Sequence, residues 1–161
     1  MECLESSHPS AFKHVVFFII LLLFPSLLFS QDNLIFKHYT REDGLSNSTV
    51  QAIYQDSKGY LWFATNDGLN RFDGRRFIVY QNTGKKGCIS SNYVNAIFED
   101  EQENLWVATR NGLNRFNRSS NTFEQYTKDR SKTNITNRYV TSLLQDSKGN
   151  LWIGTNGNGL S

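Results

Sequence analysis

Residues 59 to 72 read Gly59-Tyr60-Leu61-Trp62-Phe63-Ala64-Thr65-Asn66-Asp67-Gly68-Leu69-Asn70-Arg71-Phe72. The chain repeats this sequence twice, as Glu103-Asn104-Leu105-Trp106-Val107-Ala108-Thr109-Arg110-Asn111-Gly112-Leu113-Asn114-Arg115-Phe116 and as Gly149-Asn150-Leu151-Trp152-Ile153-Gly154-Thr155-Asn156-Gly157-Asn158-Gly159-Leu160. The tryptophans of the three copies follow one another at intervals of 44 and 46 residues. Such a period indicates a repeat architecture, in which each unit buries its apolar surface only against its neighbours.

Each period contains four segments of strand length. In the first copy these are segment a (50–56), segment b (60–65), segment c (69–72) and segment d (77–81), and turn residues separate them. Asp56-Ser57-Lys58-Gly59 joins a to b, and Asn66-Asp67-Gly68 joins b to c. Asp and Asn accept hydrogen bonds from the turn backbone and Gly tolerates positive φ, so these turns predict antiparallel neighbours.

The turn between a and b differs in one copy. Gly59 and Gly149 occupy its last position in the first and third copies, but Glu103 occupies it in the second. We therefore expect the second turn either to be strained by roughly 1 kcal/mol or to adopt another shape.

Segment a is apolar on both faces. Ala52 is followed by Ile53 and Tyr54, and adjacent residues of a strand point to opposite sides of a sheet. Four-stranded antiparallel sheets covered on both faces and repeated every 40 to 50 residues are the blades of a β-propeller. The predicted fold is all-β: a partial β-propeller of about two and a half four-stranded blades.

The repeats predict the domain boundaries. Full or partial repeats are expected at 49–92, 93–138 and 139–161. Residues 36–40 share the Phe-x-x-Tyr pattern of segment d, so region 34–48 is predicted to hold an orphan outer strand and a loop, the strand completing the last blade of a closed propeller.

The N-terminus predicts export. Lys13 and His14 precede an almost purely apolar run at 15–29, which is shorter than the roughly 20 residues of a membrane-spanning helix. A basic flank, an apolar centre and a small residue at the end are typical of a secretory signal peptide, here 1–30. An uncleaved anchor is the alternative.

Composition argues against a nucleic-acid interface and against disulfides. The net charge is +2 and the basic residues are scattered rather than clustered on one segment. Cys3 would leave with the signal peptide, so Cys88 would have no partner in the exported chain.

Motifs for catalysis are missing from the exported sequence. His38 is its single histidine, and neither a nucleophile elbow, a phosphate loop nor a zinc-spaced Cys/His cluster occurs. We therefore predict no catalytic residue, no metal and no cofactor. The recurring residues favour structural roles, as turn caps, turn glycines and tryptophans packed between blades. These positions are Asp56, Asp100, Asp146, Gly68, Gly112, Trp62, Trp106 and Trp152.

Positions that vary between copies are the better candidates for binding, because repeat folds place function in variable loops at one face. Two pairs that do not vary, Asn70-Arg71 and Asn114-Arg115, are interpreted as polar residues at the edge of segment c that satisfy neighbouring groups. The turns between b and c and the loops between d and a would share one rim of a propeller and are rich in side chains that hydrogen-bond sugar hydroxyls or an acid group. The candidate ligand-binding residues are Asn66, Asp67, Arg110, Asn111, Asn156, Asn158 and Arg138.

The pattern Asp-x-x-Gly-x-Leu-Trp-x-(Ala/Gly)-Thr-x-x-Gly-Leu-Asn-Arg-Phe at 56–72 resembles the two-component regulator propeller repeat. That family forms the periplasmic sensor region of hybrid histidine kinases in gut Bacteroidota, and its members respond to oligosaccharides. The resemblance implies a periplasmic sensing module at the inner membrane, with an oligosaccharide ligand, further blades and kinase domains in the parent protein, and possible homodimerisation there. Kinase activity would belong to a C-terminal part that this chain lacks.

Two other functions stay open at this stage. An exported propeller enzyme, such as a lyase or glycan hydrolase, would need acid and base residues at the central channel, where segment a offers Gln51, Asn95 and Thr141. A non-catalytic interaction scaffold is the third hypothesis, and the fold alone does not distinguish the three functions.

Overall fold

The computed structural model describes residues 34–127 and 139–161. It divides into two units, residues 1–37 and residues 38–161. In the first unit only 34–37 are described, and they carry no regular secondary structure. The predicted signal peptide therefore lies outside the described residues, as does Arg138. The architecture below is that of the second unit.

The second unit contains three antiparallel sheets whose strands follow one another in chain order. Sheet 1 consists of β1 (Val50–Gln55), β2 (Leu61–Thr65), β3 (Gly68–Phe72) and β4 (Phe77–Tyr80). Sheet 2 consists of β5 (Val94–Glu99), β6 (Leu105–Thr109), β7 (Gly112–Asn117) and β8 (Thr122–Tyr126). Sheet 3 consists of β9 (Val140–Gln145), β10 (Leu151–Thr155) and β11 (Gly159–Leu160). The predicted all-β fold of propeller-type blades is confirmed.

All three sheets share one register. The first residue of the inner strand faces the last residue of the second strand, in the pairs Val50 with Thr65, Val94 with Thr109, and Val140 with Thr155. One residue is then skipped on the inner strand, a β-bulge that frees Gln51, Asn95 and Thr141 from the ladder. Each of these side chains donates a hydrogen bond within the protein, to Asn66 Oδ1, to the Val140 carbonyl and to the Gly154 carbonyl respectively.

Two apolar cores lie between the sheets. The first brings Trp62, Ala64 and Leu69 of sheet 1 against Ile97 and Phe116 of sheet 2. The second core joins sheets 2 and 3 through Ala108, Leu113, Val140 and Ile153. Sheet 2 is thus covered on both faces, and the apolar residues on both sides of its strands are buried by its two neighbours.

The segment before β1 differs from the sequence prediction. Residues 34–40 have no regular secondary structure, so the orphan outer strand predicted at 36–40 is not formed. A strand exists only when a neighbouring strand satisfies its backbone, and in the second unit residues 38–40 belong to none of the described sheets. Tyr39 instead packs edge-on against Phe72 and Phe77, and a short 3-10 helix, Arg41–Asp43, follows it.

Helix is otherwise absent from the residues that the structure describes, and none of them belongs to a helix long and apolar enough to cross a bilayer.

Candidate ligand-binding rim

One end of the sheets, here called the rim, collects the turns β2–β3, β6–β7 and β10–β11 and the segments that enter β1, β5 and β9. It forms because each inner strand begins where the second strand of its sheet ends. The backbone N–H of Asn66 donates to the Thr49 carbonyl at 3.4 Å, that of Arg110 to the Tyr93 carbonyl at 3.1 Å, and that of Asn156 to the Tyr139 carbonyl at 2.9 Å. The predicted turn residues and the loops before the inner strands therefore do share one surface.

A buried polar network anchors each described rim loop to its sheet. The Asn70 amide donates to Ser46 Oγ at 2.7 Å and accepts from the Ser46 backbone N–H at 2.9 Å. The Ser46 hydroxyl lies 2.9 Å from Thr65 Oγ1, which in turn donates to the Gly68 carbonyl. The polar groups of this network all have partners, so hydrogen bonds compensate the desolvation of the buried Asn70 side chain.

Sheet 2 repeats the network with Ser90, Asn114, Thr109 and Gly112. Asn70 and Asn114 are fully buried. Their interpretation as edge residues of segment c is therefore wrong in position, because the strand places them inside. The expectation that they satisfy neighbouring groups is confirmed, since they hold the loop that precedes the inner strand. A serine 24 residues before each asparagine was the sequence signal.

Most of the predicted binding residues on the rim use their side chains within the protein. Asn66 accepts from Gln51 Nε2 at 2.7 Å, Asp67 accepts from Asn92 Nδ2 at 3.1 Å, and Asn111 donates to the Ser90 carbonyl at 3.2 Å. Asn156 and Asn158 lie in the β10–β11 turn and have interaction partners too. These groups order the rim, and their remaining donors and acceptors are what a ligand could use.

Arg110 is bound differently. Its guanidinium carbon lies 3.4 Å from the centre of the Tyr93 ring and 5.3 Å from the centre of the Tyr139 ring, and the side chain is exposed. Stacking of this kind uses the face of the guanidinium and leaves its N–H edge directed away from the rings. Arg110 thus presents ordered hydrogen-bond donors at the rim.

A polar hollow of about 240 Å³ lies beside Asn111, the residue after Arg110. Its wall combines Asn82, Lys85, Cys88, Ser90 and Gln125. The loop that forms it is tied down by hydrogen bonds from Asn82 Nδ2 to the Ser90 carbonyl and from Gln125 Nε2 to the Cys88 carbonyl. The hollow is therefore preformed and lined by amide, hydroxyl and ammonium groups, the chemistry that recognises sugar hydroxyls.

A larger hollow of about 760 Å³ lies away from the rim, around the β7–β8 turn of sheet 2. Most of its charged groups are already paired: Arg115 with Glu124 at 2.7 Å, Glu103 with Lys58 at 2.6 Å, and Arg118 with two carboxylates. Such groups are satisfied by the protein itself, which makes this surface the weaker candidate in spite of its size.

The repeated aspartates and tryptophans are engaged in structural contacts at the opposite end of the sheets. Asp56 Oδ1 accepts the backbone N–H groups of Lys58 and Tyr60, and its Oδ2 accepts Trp62 Nε1 at 2.8 Å. The corresponding bonds from Trp106 to Asp100 and from Trp152 to Asp146 measure 2.7 and 2.9 Å. Trp62 is completely buried, so it offers no ring face to a sugar.

The same contacts set the protonation of these aspartates. Burial raises the pKa of Asp56, but hydrogen bonds from Arg118, Trp62 and the Tyr60 N–H outweigh burial and hold the pKa below its ordinary value. Burial also raises the pKa of Asp100, and hydrogen bonds from Trp106 and Asn104 outweigh it and lower that pKa. Hydrogen bonds from Asn150 and Trp152 lower the pKa of Asp146 to about 2.

Within 34–127 and 139–161, no three acidic, His or Cys side chains converge to hold a metal ion.

A family model described as the two component regulator propeller matches residues 44–67, 88–111 and 134–157. The chain therefore contains three segments similar to the two-component regulator propeller repeat. The first two matched segments each run from a rim loop through the inner and second strands, and they contain Ser46 and Ser90, which anchor that loop.

Two known proteins are similar to this propeller chain. Histidine kinase P4 of Formosa agariphila is 49% identical over 69 residues, which is 42% of this chain and 5% of that protein. The extracellular domain of the putative hybrid two component system BT3049 from B. thetaiotaomicron is 34% identical with a TM-score of 0.68, and the match covers 77% of this chain and 18% of that domain. The propeller chain therefore spans a small part of either protein.

Proposed function

We propose that this chain is ligand-binding propeller sequence from an exported two-component sensor, and that its rim binds an oligosaccharide. The observation that carries the proposal is the similarity of its repeats to an extracellular domain of a putative hybrid two component system, at 34% identity and a TM-score of 0.68. A sensor domain needs a binding surface, and the described part of the rim supplies ordered polar groups.

The proposal extends to the parent protein. Further blades would continue the propeller, and a histidine kinase on the other side of the membrane would receive the signal. The propeller would then work at the periplasmic face of the inner membrane, as part of a protein that acts as a dimer. In this arrangement the kinase has two states, and the ligand shifts the equilibrium towards the state that it binds more tightly. The difference between its two affinities limits the size of the shift.

Direct binding tests the proposal. Purified chain is titrated with a panel of neutral and acidic oligosaccharides, and binding is followed by calorimetry and by the shift in melting temperature. We expect at least one saccharide to raise the melting temperature, because a ligand that binds only the folded state stabilises it by mass action. A second panel of monosaccharides, amino acids and short peptides serves as the control. Binding confined to that control panel would contradict the proposal.

A further inference from the structure

We infer that the Tyr93–Arg110–Tyr139 stack binds the acid group of an acidic saccharide, a carboxylate or a sulfate ester. This inference rests on the proposed function of the rim and specifies its ligand class. It begins with the position of Arg110, whose guanidinium stacks on Tyr93, the residue before β5, and on Tyr139, the residue before β9. Two sheets thus hold one cation in a defined place before any ligand arrives.

The second step is charge. Arg76, Arg115 and Arg118 each pair with a carboxylate of the chain. Arg110 makes no ion pair or side-chain hydrogen bond with any residue in 34–127 or 139–161, and its exposed guanidinium keeps a full positive charge. The rings that order it attract the cation but carry no net charge of their own, and no described carboxylate neutralises it.

The third step is geometry. A guanidinium held by its face presents parallel N–H donors in its own plane, and these match the two oxygens of a carboxylate or sulfate in a bidentate contact. Because the tyrosines already restrict the side chain, less conformational entropy is lost on binding than with a free surface arginine. The next residue, Asn111, lines the polar hollow, which we assign to the rest of the sugar.

The fourth step is the difference between repeats. The residue that corresponds to Arg110 is Asn66 in sheet 1 and Asn156 in sheet 3, and the residue that corresponds to Tyr93 and Tyr139 is Thr49 before β1. The blade fold therefore forms without this stack. Repeat proteins carry their binding specificity in residues that differ between repeats and that the fold itself does not require.

The experiment compares three saccharide probes of equal length and one salt. The probes are a uronate tetrasaccharide, a sulfated neutral-sugar tetrasaccharide and an unsubstituted tetrasaccharide, and the salt is sodium sulfate. Each is titrated against the full chain, R110Q, R110K and R75Q. Arg75 lies in the β3–β4 turn at the opposite end of sheet 1, so R75Q removes the same charge away from the rim. Circular dichroism melting establishes that each variant is folded.

We expect one acidic probe to bind the full chain, with at least about tenfold weaker binding to R110Q and unchanged binding to R75Q. R110K, which keeps the charge but lacks the planar fork, should be intermediate. Binding of the uronate probe would identify a carboxylate as the ligand group, and binding of the sulfated probe would identify a sulfate ester.

Equal binding of the unsubstituted and acidic probes, unaffected by R110Q, would overturn the inference and leave the proposed function intact. Sodium sulfate binding as tightly as the best saccharide would also overturn it, since the sugar would then contribute nothing. If no saccharide binds, the proposed function fails together with the inference.

Discussion

Glu103 shows how a repeated turn accommodates a residue that does not suit it. Its φ is 61°, in the left-handed region, and its N–H donates to the Asp100 carbonyl at 2.9 Å, as the N–H of Gly59 does to Asp56. The sequence left two outcomes open, a strained turn or a turn of another shape. The structure shows the first: the turn keeps its shape, and Glu103 adopts the strained backbone conformation. The neighbouring contacts of Asp100 impose the conformation, because its carboxylate accepts the N–H groups of Gln102 and Asn104.

Replacing this residue should therefore stabilise the protein. We expect E103G to raise the free energy of unfolding by about 0.5 to 1 kcal/mol, because glycine adopts positive φ without strain. The lost Lys58–Glu103 pair is exposed and contributes little. The matched change is G59A, where a Cβ has open space around it but φ is +85°. It should lower the free energy of unfolding by a similar amount in urea denaturation, and a change of the same sign in the two variants would contradict the strain argument.

The aspartates predict acid sensitivity. Because Asp146 has a pKa of about 2 in the folded protein and 3.8 as its ordinary value, the unfolded state binds more protons between these two values. Its stabilising contribution is complete above pH 3.8 and is lost as the pH falls through about 2. Asp56 and Asp100, whose pKa values are also lowered, act in the same direction.

Urea denaturation from pH 6 down to about pH 2 measures this dependence. We expect the decline to be shallower in D146N, since that side chain no longer takes up a proton. The matched control is D129N, a charge change outside the described residues. Identical acid dependence in D146N and the unmodified chain would refute the assignment.

At the scale of the element, one arginine joins two sheets. Arg118, which follows β7, donates to Asp56 Oδ2 at 2.8 Å and to Glu99 Oε1 at 2.5 Å. Glu99 also accepts the backbone N–H of Ser57 at 2.6 Å and its hydroxyl at 3.0 Å. Both carboxylates are buried, so the cluster fixes the turn of sheet 1 to the end of β5 in sheet 2.

Removing the arginine leaves two buried carboxylates without a cation. We expect R118M to lower the free energy of unfolding by about 2 to 3 kcal/mol, somewhat less than for a fully buried pair because the arginine is partly exposed. R115M is the matched control, since it removes an exposed pair with Glu124 and should lose less than about 1 kcal/mol. Equal losses in chemical denaturation would show that the cluster does not join the sheets energetically.

At the scale of the whole molecule, identical residues have different surroundings. Trp62 is 0% exposed beneath sheet 2, whereas Trp152 is 46% exposed on the outer face of sheet 3. Ile97 on sheet 2 is 8% exposed, whereas its counterpart Ile53 on the outer face of sheet 1 is 64% exposed. The apolar pattern is the same in each repeat, and the number of neighbouring sheets decides how much of it is buried.

Tryptophan replacements should separate burial from hydrogen bonding. W62A should destabilise by about 3 to 5 kcal/mol, as expected for a fully buried aromatic residue. W152A should lower the free energy of unfolding by less than about half of that amount. Both changes remove a similar bond to an aspartate, at 2.8 and 2.9 Å, so the difference reflects packing. Equal melting temperatures for the two variants would contradict the observed burial.

The exposed faces predict self-association of the purified chain. Ile53, Leu144 and Trp152 leave broad apolar surface in water, and monomeric proteins rarely expose large patches of this kind. Light scattering over a range of concentrations should detect oligomers, and an I53E/W152E double variant should reduce them. The N-terminal apolar segment is common to both proteins, so it does not affect the comparison. A strictly monomeric unmodified chain would contradict this expectation.

The sequence by itself determined the repeat, the strand order and the turns, because these depend on local signals. Period, alternation of apolar residues and Asp-Gly or Asn-Gly turns act within a few residues of one another. They predicted segments 50–56, 60–65, 69–72 and 77–81, which agree with the strands of sheet 1 to within one residue at each end. They also placed Arg110 in a rim turn.

Only the tertiary structure decided which polar residues are buried and which are available. Asn70 is buried because Ser46, distant in sequence, satisfies its amide, and Arg110 is ordered because Tyr139 of another sheet stacks on it. The segment at 36–40 resembles a strand locally but lacks a sheet to pair with. Each of these outcomes depends on a partner from another part of the chain, and a local pattern cannot specify that partner.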